Sequence, residues 1–307
     1  MKPSGIGGQA VMEGVMMKNG DNYAVAVRLP NGEITVKKDE YKGIVTGKKI
    51  ISLPFIRGVF NFIDSMVLGM KTLTYSADLA LEEETQDPVE GGKKKESDNG
   101  WMMALTVVLA LALAVGLFMV LPVFVAGLLK RFITGNFLIT LIEGVIRIGI
   151  FLLYVVLISK MKDIQRVFMY HGAEHKCINC IEHGLPLNVE NVKKSSRLHK
   201  RCGTSFLLIV MVVSVLVTMF VRVDTVWLRV LSRILLLPVI AGVSYEVLKL
   251  AGRSDSPIVE AISKPGLAMQ KLTTREPDEE MIEVAIQSVE AVFDWRAFVG
   301  ETKEETK

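Results

Sequence analysis

Residues 170–205 read YHGAEHKCINCIEHGLPLNVENVKKSSRLHKRCGTS, and they hold every histidine and cysteine of the 307-residue chain: His171, His175, Cys177, Cys180, His183, His199 and Cys202. Long apolar stretches lead into this segment and out of it, so the soft-metal ligands of the whole protein sit in one loop between two membrane segments. His171 and His175 are four apart, which on a helix puts them on one face about one turn from each other. With Glu174 they make H-x-x-E-H, the inverted zincin pattern of two imidazoles on a metal and an adjacent carboxylate as candidate general base. Cys177 and Cys180 form C-x-x-C, and His199 and Cys202 form H-x-x-C about twenty residues on; two short-spaced pairs joined by a loop are the usual plan of a tetrahedral zinc site. The expected cofactor is a divalent metal, zinc before others. The plain alternative is a polar loop with incidental histidines and reduced cysteines.

Half of the residues are hydrophobic and the mean hydropathy is +0.38, too apolar for an ordinary soluble protein. A net charge of +3 lends no support to nucleic-acid binding. The start, MKPSGIGGQAVMEG, has no apolar core of a signal peptide. Three cysteines in one loop do not make a disulfide framework.

The fold expected is an α-helical polytopic membrane protein with four transmembrane helices and a small cytosolic β/α N-terminal domain. Residues 1–53 hold a Gly-rich lead-in, read either as a packed strand or as a flexible site segment bringing Gln9 and Glu13 near the metal, and a small sheet. In that sheet, Tyr23–Leu29 and Glu33–Lys38 alternate around the turn Pro30-Asn31-Gly32, and Gly43–Leu53 reads as a further strand. Over 54–81, Phe55, Val59, Phe62, Ile63, Met66, Met70 and Leu73 recur at three and four, an amphipathic helix lying on the membrane surface or, equally, covering the sheet. Residues 82–100, EEETQDPVEGGKKKESDNG after Leu81, read as a flexible linker. A first transmembrane hairpin occupies 101–159, with spans Trp101–Leu129 and Phe137–Ile158; the His/Cys loop occupies 160–205; a second hairpin occupies 206–250, with spans Phe206–Val221 and Val226–Leu250. The tail 251–307 is helical, with breakers at Pro257 and at Pro265-Gly266 around a short helix, and a better helix starting at Pro277.

Basic residues near the span ends set the orientation. Lys93, Lys94, Lys95, Lys160, Lys162, Arg166, Lys200, Arg201, Lys249 and Arg253 lie on one side, and Lys130, Arg131, Arg222 and Arg229 on the other. The richer side is cytoplasmic, so the loop and both termini are expected there, in a multi-pass cell-membrane protein. Within the spans, Glu143 and Arg147 are four apart, an intramembrane pair that is either functional or a lock on helix packing. Arg233 also falls inside a span, and Glu246 near the cytoplasmic end of the last one is a further candidate for the site.

Several runs resemble the YqhQ-like family of bacterial membrane proteins, a domain of unknown function: YHGAEHK, INC, ENV and HKRCGTSF in the loop, GGQAVMEGVMM at the start, PFIRGV in the middle, and SPIVEAISKPGLAMQKLTTREPDEEMIEVA near the end. The resemblance covers nearly the full chain. It implies a metal-dependent enzyme without implying a substrate. It also implies matches at His171, Glu174, His175, Cys180, His199 and Cys202, while the Cys177 position varies in the family. The expected site is then Glu174 as catalytic residue and His171, His175, Cys180, His199 and Cys202 as metal ligands, with Cys177, His183, Glu13 and Glu246 held open. Three functions follow from these residues: a membrane metal-dependent hydrolase with a cytoplasm-facing site, a closed structural zinc site presenting a cytosolic surface to a protein partner, and, more remotely, a transporter. The lipid membrane is the expected partner in all three. No oligomeric state is legible.

Overall fold

The computed structural model describes residues 3–45, 51–82, 100–129, 132–133, 135–221, 223, 225–252 and 256–304. The expected linker lies almost wholly outside them, as do Lys93, Lys94, Lys95, Lys130, Arg131, Arg222 and Arg253 of the charge comparison. In chain order the elements are strands β1 (Gly7–Val11), β2 (Gly14–Asn19), β3 (Asn22–Arg28) and β4 (Ile34–Glu40), then α1 (Ile56–Glu82), α2 (Gly100–Val115), a π-helical turn (Gly116–Val120), α3 (Leu121–Leu129), α4 (Asn136–Ile158), α5 (Lys162–Glu182), α6 (Val189–Lys194), α7 (Gly203–Thr218), α8 (Val226–Ala251), α9 (Pro257–Thr273), α10 (Glu279–Val292) and α11 (Trp295–Glu304). The chain divides into two units, one of Met1–Thr85, Val156–Ile209 and Ala241–Lys307, the other of Gln86–Val155 and Val210–Ile240.

The first unit is built on an antiparallel meander ordered β1-β2-β3-β4. Side chains alternate across a sheet with period two, and here both faces are covered. Val15, Met17 and Ala26 point into one core with α5 and α10 (Tyr170, Ala173, Ile178, Ile181, Met281, Val284, Ala285). Met16, Tyr23, Val25 and Val27 point into another with Leu68, Tyr75 and Leu79 of α1. The expected β-hairpin over 23–38 forms as β3 and β4. The Gly-rich lead-in is itself a hairpin, β1 and β2, turning at Met12-Glu13, with Glu13 at φ 49°. The further strand expected at Gly43–Leu53 is not there on its described residues: 44–45 and 51–52 are turns. Gly43 lies against the Asp64 carboxylate and Ile44 N–H donates to it, so these residues spend their backbone on α1 instead of on a ladder.

Helix α1 does cover the sheet, and it also leaves an apolar flank of Met66, Val67, Met70 and Leu73 exposed. Helix α10 forms just past the expected start at Pro277, from Glu279: the Asp278 side chain accepts from Met281 N–H as its cap, and Glu279 and Glu280 follow in the first turn, where carboxylates suit the helix dipole. Helix α9 corrects an expectation. Pro265 and Gly266 do not break it; it runs from Pro257 to Thr273 with Ser256 as its cap. A Cβ on Gly266 would meet Ser205, so this glycine serves close packing on the start of α7.

Among the described residues, three helical stretches are long and apolar enough to cross a membrane: Leu105–Leu129, Phe137–Ile158 and Trp227–Ala251. Helix α7, the expected third span, has 16 residues, which is about 24 Å at 1.5 Å per residue against a hydrocarbon core of about 30 Å. In the second unit the first span is continuous through Pro122. Proline has no N–H for the carbonyl four residues back. That carbonyl belongs to Phe118, inside the π-helical turn, and it accepts from Arg147 Nε at 3.0 Å.

Gly172 is a tight joint of the first unit. A Cβ there would strike the Arg275 carbonyl, just where Arg275 N–H donates to Phe168 O at 2.8 Å. Gly172→Ala should lower stability by about 1–3 kcal/mol, the usual cost of overpacking. Gly7→Ala, with nothing within 4 Å of the new Cβ, should leave it almost unchanged. Thermal melts of both variants in detergent check this; equal melting points would contradict the packing described.

Candidate metal and catalytic site

Helix α5 places the site by its periodicity. At about 100° per residue, His171, Glu174, His175, Ile178 and Glu182 share one face. These side chains, except Glu182, line a cavity of 560 Å³ with His199 and Cys202, Gly7–Ala10 of β1, and Phe62 and Ser65 of α1. His171, His175 and Cys202 each bring one ligand atom to within 4.8 Å of the others. The two imidazole centroids are 4.4 Å apart, and His171 Nε2 lies 3.2 Å from Cys202 Sγ.

Each imidazole is oriented by the backbone. His171 Nδ1–H donates to Thr273 O at 2.9 Å and His175 Nδ1–H to Arg197 O at 2.6 Å. With Nδ1 as the donor, each Nε2 keeps its lone pair on the side of Cys202 Sγ, as in metal sites where the second ring nitrogen is tied to a carbonyl. Burial lowers the His175 pKa, which favours the neutral ring that ligation needs. Cys202 Sγ has Thr204 N–H at 3.4 Å and Thr204 Oγ1 at 3.1 Å. Glu174 is buried, its Oε2 4.0 Å from His171 Nε2. Burial pushes its carboxyl up to about 7, against the pull of His171 and a hydrogen bond from Gly8 N–H. A Cβ on Gly8 would lie 2.9 Å from Glu174 Cγ and 2.6 Å from Met16 O, so only glycine lets β1 approach this carboxylate.

Apart from His199, the remaining candidates lie away from this group. Cys177 and Cys180 are in the apolar core between α5 and α10. Cys180 Sγ faces Leu185 O and Pro186 O, and burial pushes its thiol up to about 11. His199 sits beside the group, its ring centroid 5.9 Å from that of His175, with Nε2 3.3 Å from Glu182 Oε2. His183 ends α5, its Nδ1–H donating to Asn179 O at 2.6 Å. Gln9 lines the cavity, but Glu13 does not; Arg166 and Tyr170 hold it. Glu246 pairs with Arg57 through two hydrogen bonds of 2.8 and 2.6 Å. Glu143 and Arg147 do pair, Oε1 to Nη2 at 2.8 Å, in the second unit.

Sequence reasoning missed the side chains that hold the loop. Gln270, fully buried on α9, accepts from His199 N–H and donates to His199 O and Ser205 Oγ, each at 2.8 Å. Lys176 Nζ donates to Lys193 O and Ser195 O, and Asn179 Nδ2 to Ser196 O and Leu198 O. Glu182 binds Ser4, His199 and Arg201. Burial raises its pKa, but the hydrogen bonds from His199 and Ser4 and the Arg201 charge outweigh that and bring it down to about 2. The legible signal was Gln270 itself, a polar residue on the apolar stripe Val259, Gly266, Met269, Thr273.

Gln270→Ala would strand the His199 N–H and C=O in the interior. It should cost about 1–3 kcal/mol for each unsatisfied group that water does not reach, and it should speed amide exchange at 199–205. Unchanged exchange in that segment would contradict the role given to Gln270.

Comparison with known proteins agrees with the resemblance. A family described as a protein of unknown function, DUF1385, matches residues 53–295. An uncharacterized protein of Bacillus subtilis (strain 168), YqhQ, is 39% identical over 290 residues, covering 93% of this chain and 91% of the relative. No solved structure matches. The chain belongs to the DUF1385 family, and its His/Cys segment lies inside the matched region.

Proposed function

We propose that this protein is an integral membrane metal-dependent hydrolase, with His171, His175 and Cys202 as protein ligands and Glu174 as the catalytic general base. The observation that carries the reading is the convergence of three neutral-to-anionic donors, two of them imidazoles fixed through Nδ1, on the wall of a cavity. Two nitrogens and one sulfur suit a zinc-type ion, and three protein ligands with room beside them are the pattern of catalytic rather than structural sites. Such an ion supplies Lewis-acid chemistry toward a carbonyl or phosphoryl oxygen. Glu174, on the same helix face, takes a proton at its carboxylate from the attacking water and returns it to the leaving group. Gly8 N–H holds that carboxylate in place. Phe62, Phe206 and Leu207 give the cavity an apolar wall beside these groups. One observation favours a closed structural site instead: His199 is near enough to His175 to join by a side-chain turn.

The connectivity supports four spans. The sheet, α5 and α10 share one core and so lie on one side of a bilayer. The apolar helices between the sheet and α5, and those between α5 and α10, must then cross in even numbers. Helix α7 would therefore cross with α8, extended by residues beyond its 16 or by local thinning of the bilayer. The bias of basic residues puts that side in the cytoplasm.

Purified protein should carry about one zinc-type ion per chain by elemental analysis, lost in His175→Ala and Cys202→Ser and kept in Cys180→Ser, as the single-cluster reading of His/Cys ligation requires. Glu174→Gln should keep the metal and yet fail to complement a deletion strain, with a loss of roughly 10²-fold or more in activity. Metal loss in step with function in that variant would support an orienting role and sink the general base. A reporter cysteine at Ser195 should resist an impermeant maleimide on intact cells; strong labelling would reverse the orientation.

A further inference from the structure

The second unit contains a group that the hydrolase reading does not use. Glu143 is the one acidic side chain among its described residues, and three arginines face it. Arg147 Nη2 is 2.8 Å from Glu143 Oε1, Arg233 Nη2 3.1 Å from Oε1 and 3.2 Å from Oε2, and Arg229 Nη1 3.9 Å from Oε2. All four are buried, with Glu143 at 1% and Arg233 at 3% exposure. Glu143 and Arg233 each lie seven residues past the first residue of their helices, about 10 Å along the axis at 1.5 Å per residue.

A single carboxylate cannot balance three guanidiniums. Among the described residues two positive charges remain, in helices whose outer surfaces suit hydrocarbon, where an unpaired charge is expensive. The other donors show how far the protein itself has answered them. Arg147 Nε is taken by Phe118 O, the carbonyl that Pro122 frees, and Nη1 by Ser214 Oγ at 3.3 Å. Arg229 Nε and Nη2 are taken by Val223 O. Arg233 Nη1 is buried with no hydrogen-bond partner among the described residues. An arrangement that served only to lock helices would place its charges in balance and its donors in bonds. This one keeps a surplus of charge and a donor in reserve.

We propose that Arg229, Arg233 and Arg147 form a binding site for a net-anionic phosphate group, with Arg233 Nη1 as the donor that meets it. Arginine suits this role because its fork matches the oxygens of phosphate. The anion comes either from the headgroup of an acidic phospholipid or from free phosphate, and Glu143 holds the guanidiniums in register for it.

The test is a thermal melt of the full-length protein in a maltoside detergent, which carries no phosphate, titrated with phosphatidylglycerol, with phosphatidylcholine and with inorganic phosphate. Phosphatidylglycerol should raise the melting temperature well beyond phosphatidylcholine. A matching effect of inorganic phosphate would identify a small-ion site, and its absence a headgroup site. Arg233→Gln should weaken the apparent affinity by about 10- to 100-fold, the worth of one charge-assisted hydrogen bond, and Arg233→Lys should restore part of it. Should Arg233→Gln fail to fold, Arg229→Gln carries the same comparison. The proposal is overturned if neither phosphatidylglycerol nor phosphate shifts the wild-type melt, or if the shift survives in full in the glutamine variants.

Discussion

Helix α5 must bury both of its faces, and the rest of the first unit is arranged around that demand. One face carries Ala173, Cys177, Cys180 and Ile181 into the core shared with α10 and the sheet. The other carries His171, Glu174, His175 and Glu182, which cannot be buried without partners. Those partners come from three distant parts of the chain: carbonyls of Thr273 and Arg197, Gly8 N–H, and Ser4 with Arg201. The tail, the loop and the N-terminal strand thus converge because one polar helix face has to be satisfied. The same convergence leaves two imidazole Nε2 atoms and one thiol facing a cavity.

The architecture was legible where a period runs long. The hairpin over 23–38, the helix after Pro54, the apolar stretches and the helix after Pro277 all follow from alternation, spacing and turn chemistry. Legibility failed where tertiary contacts decide. GGQAVMEGVMM is a hairpin because α5 and α1 cover its two faces, and Pro265-Gly266 stays helical because Gly266 packs on Ser205. The strand expected near 43–53 lost its backbone donors to Asp64.

The site shows the same division. H-x-x-E-H is a local pattern and its helix keeps the two imidazoles together. C-x-x-C follows on the same helix, and that continuity separates it: Cys180 lies about 140° around the axis from His175 and about 180° from His171 at 100° per residue. Reading the helix through Glu182 would have sent Cys177 and Cys180 to the core. The third donor, Cys202, comes from a loop whose path depends on Lys176, Asn179 and Gln270, none of which belongs to a ligand motif.

In the proposed site one metal ion is held by two imidazoles and a single thiolate, with the C-x-x-C thiols excluded. X-ray absorption at the metal edge of the purified, metal-replete protein addresses it directly. The expected spectrum has one sulfur neighbour, with the remaining scatterers nitrogen and oxygen and an imidazole signature in the outer shells. Two or more sulfur neighbours would mean that Cys180 or Cys177 reaches the metal, and would contradict the account.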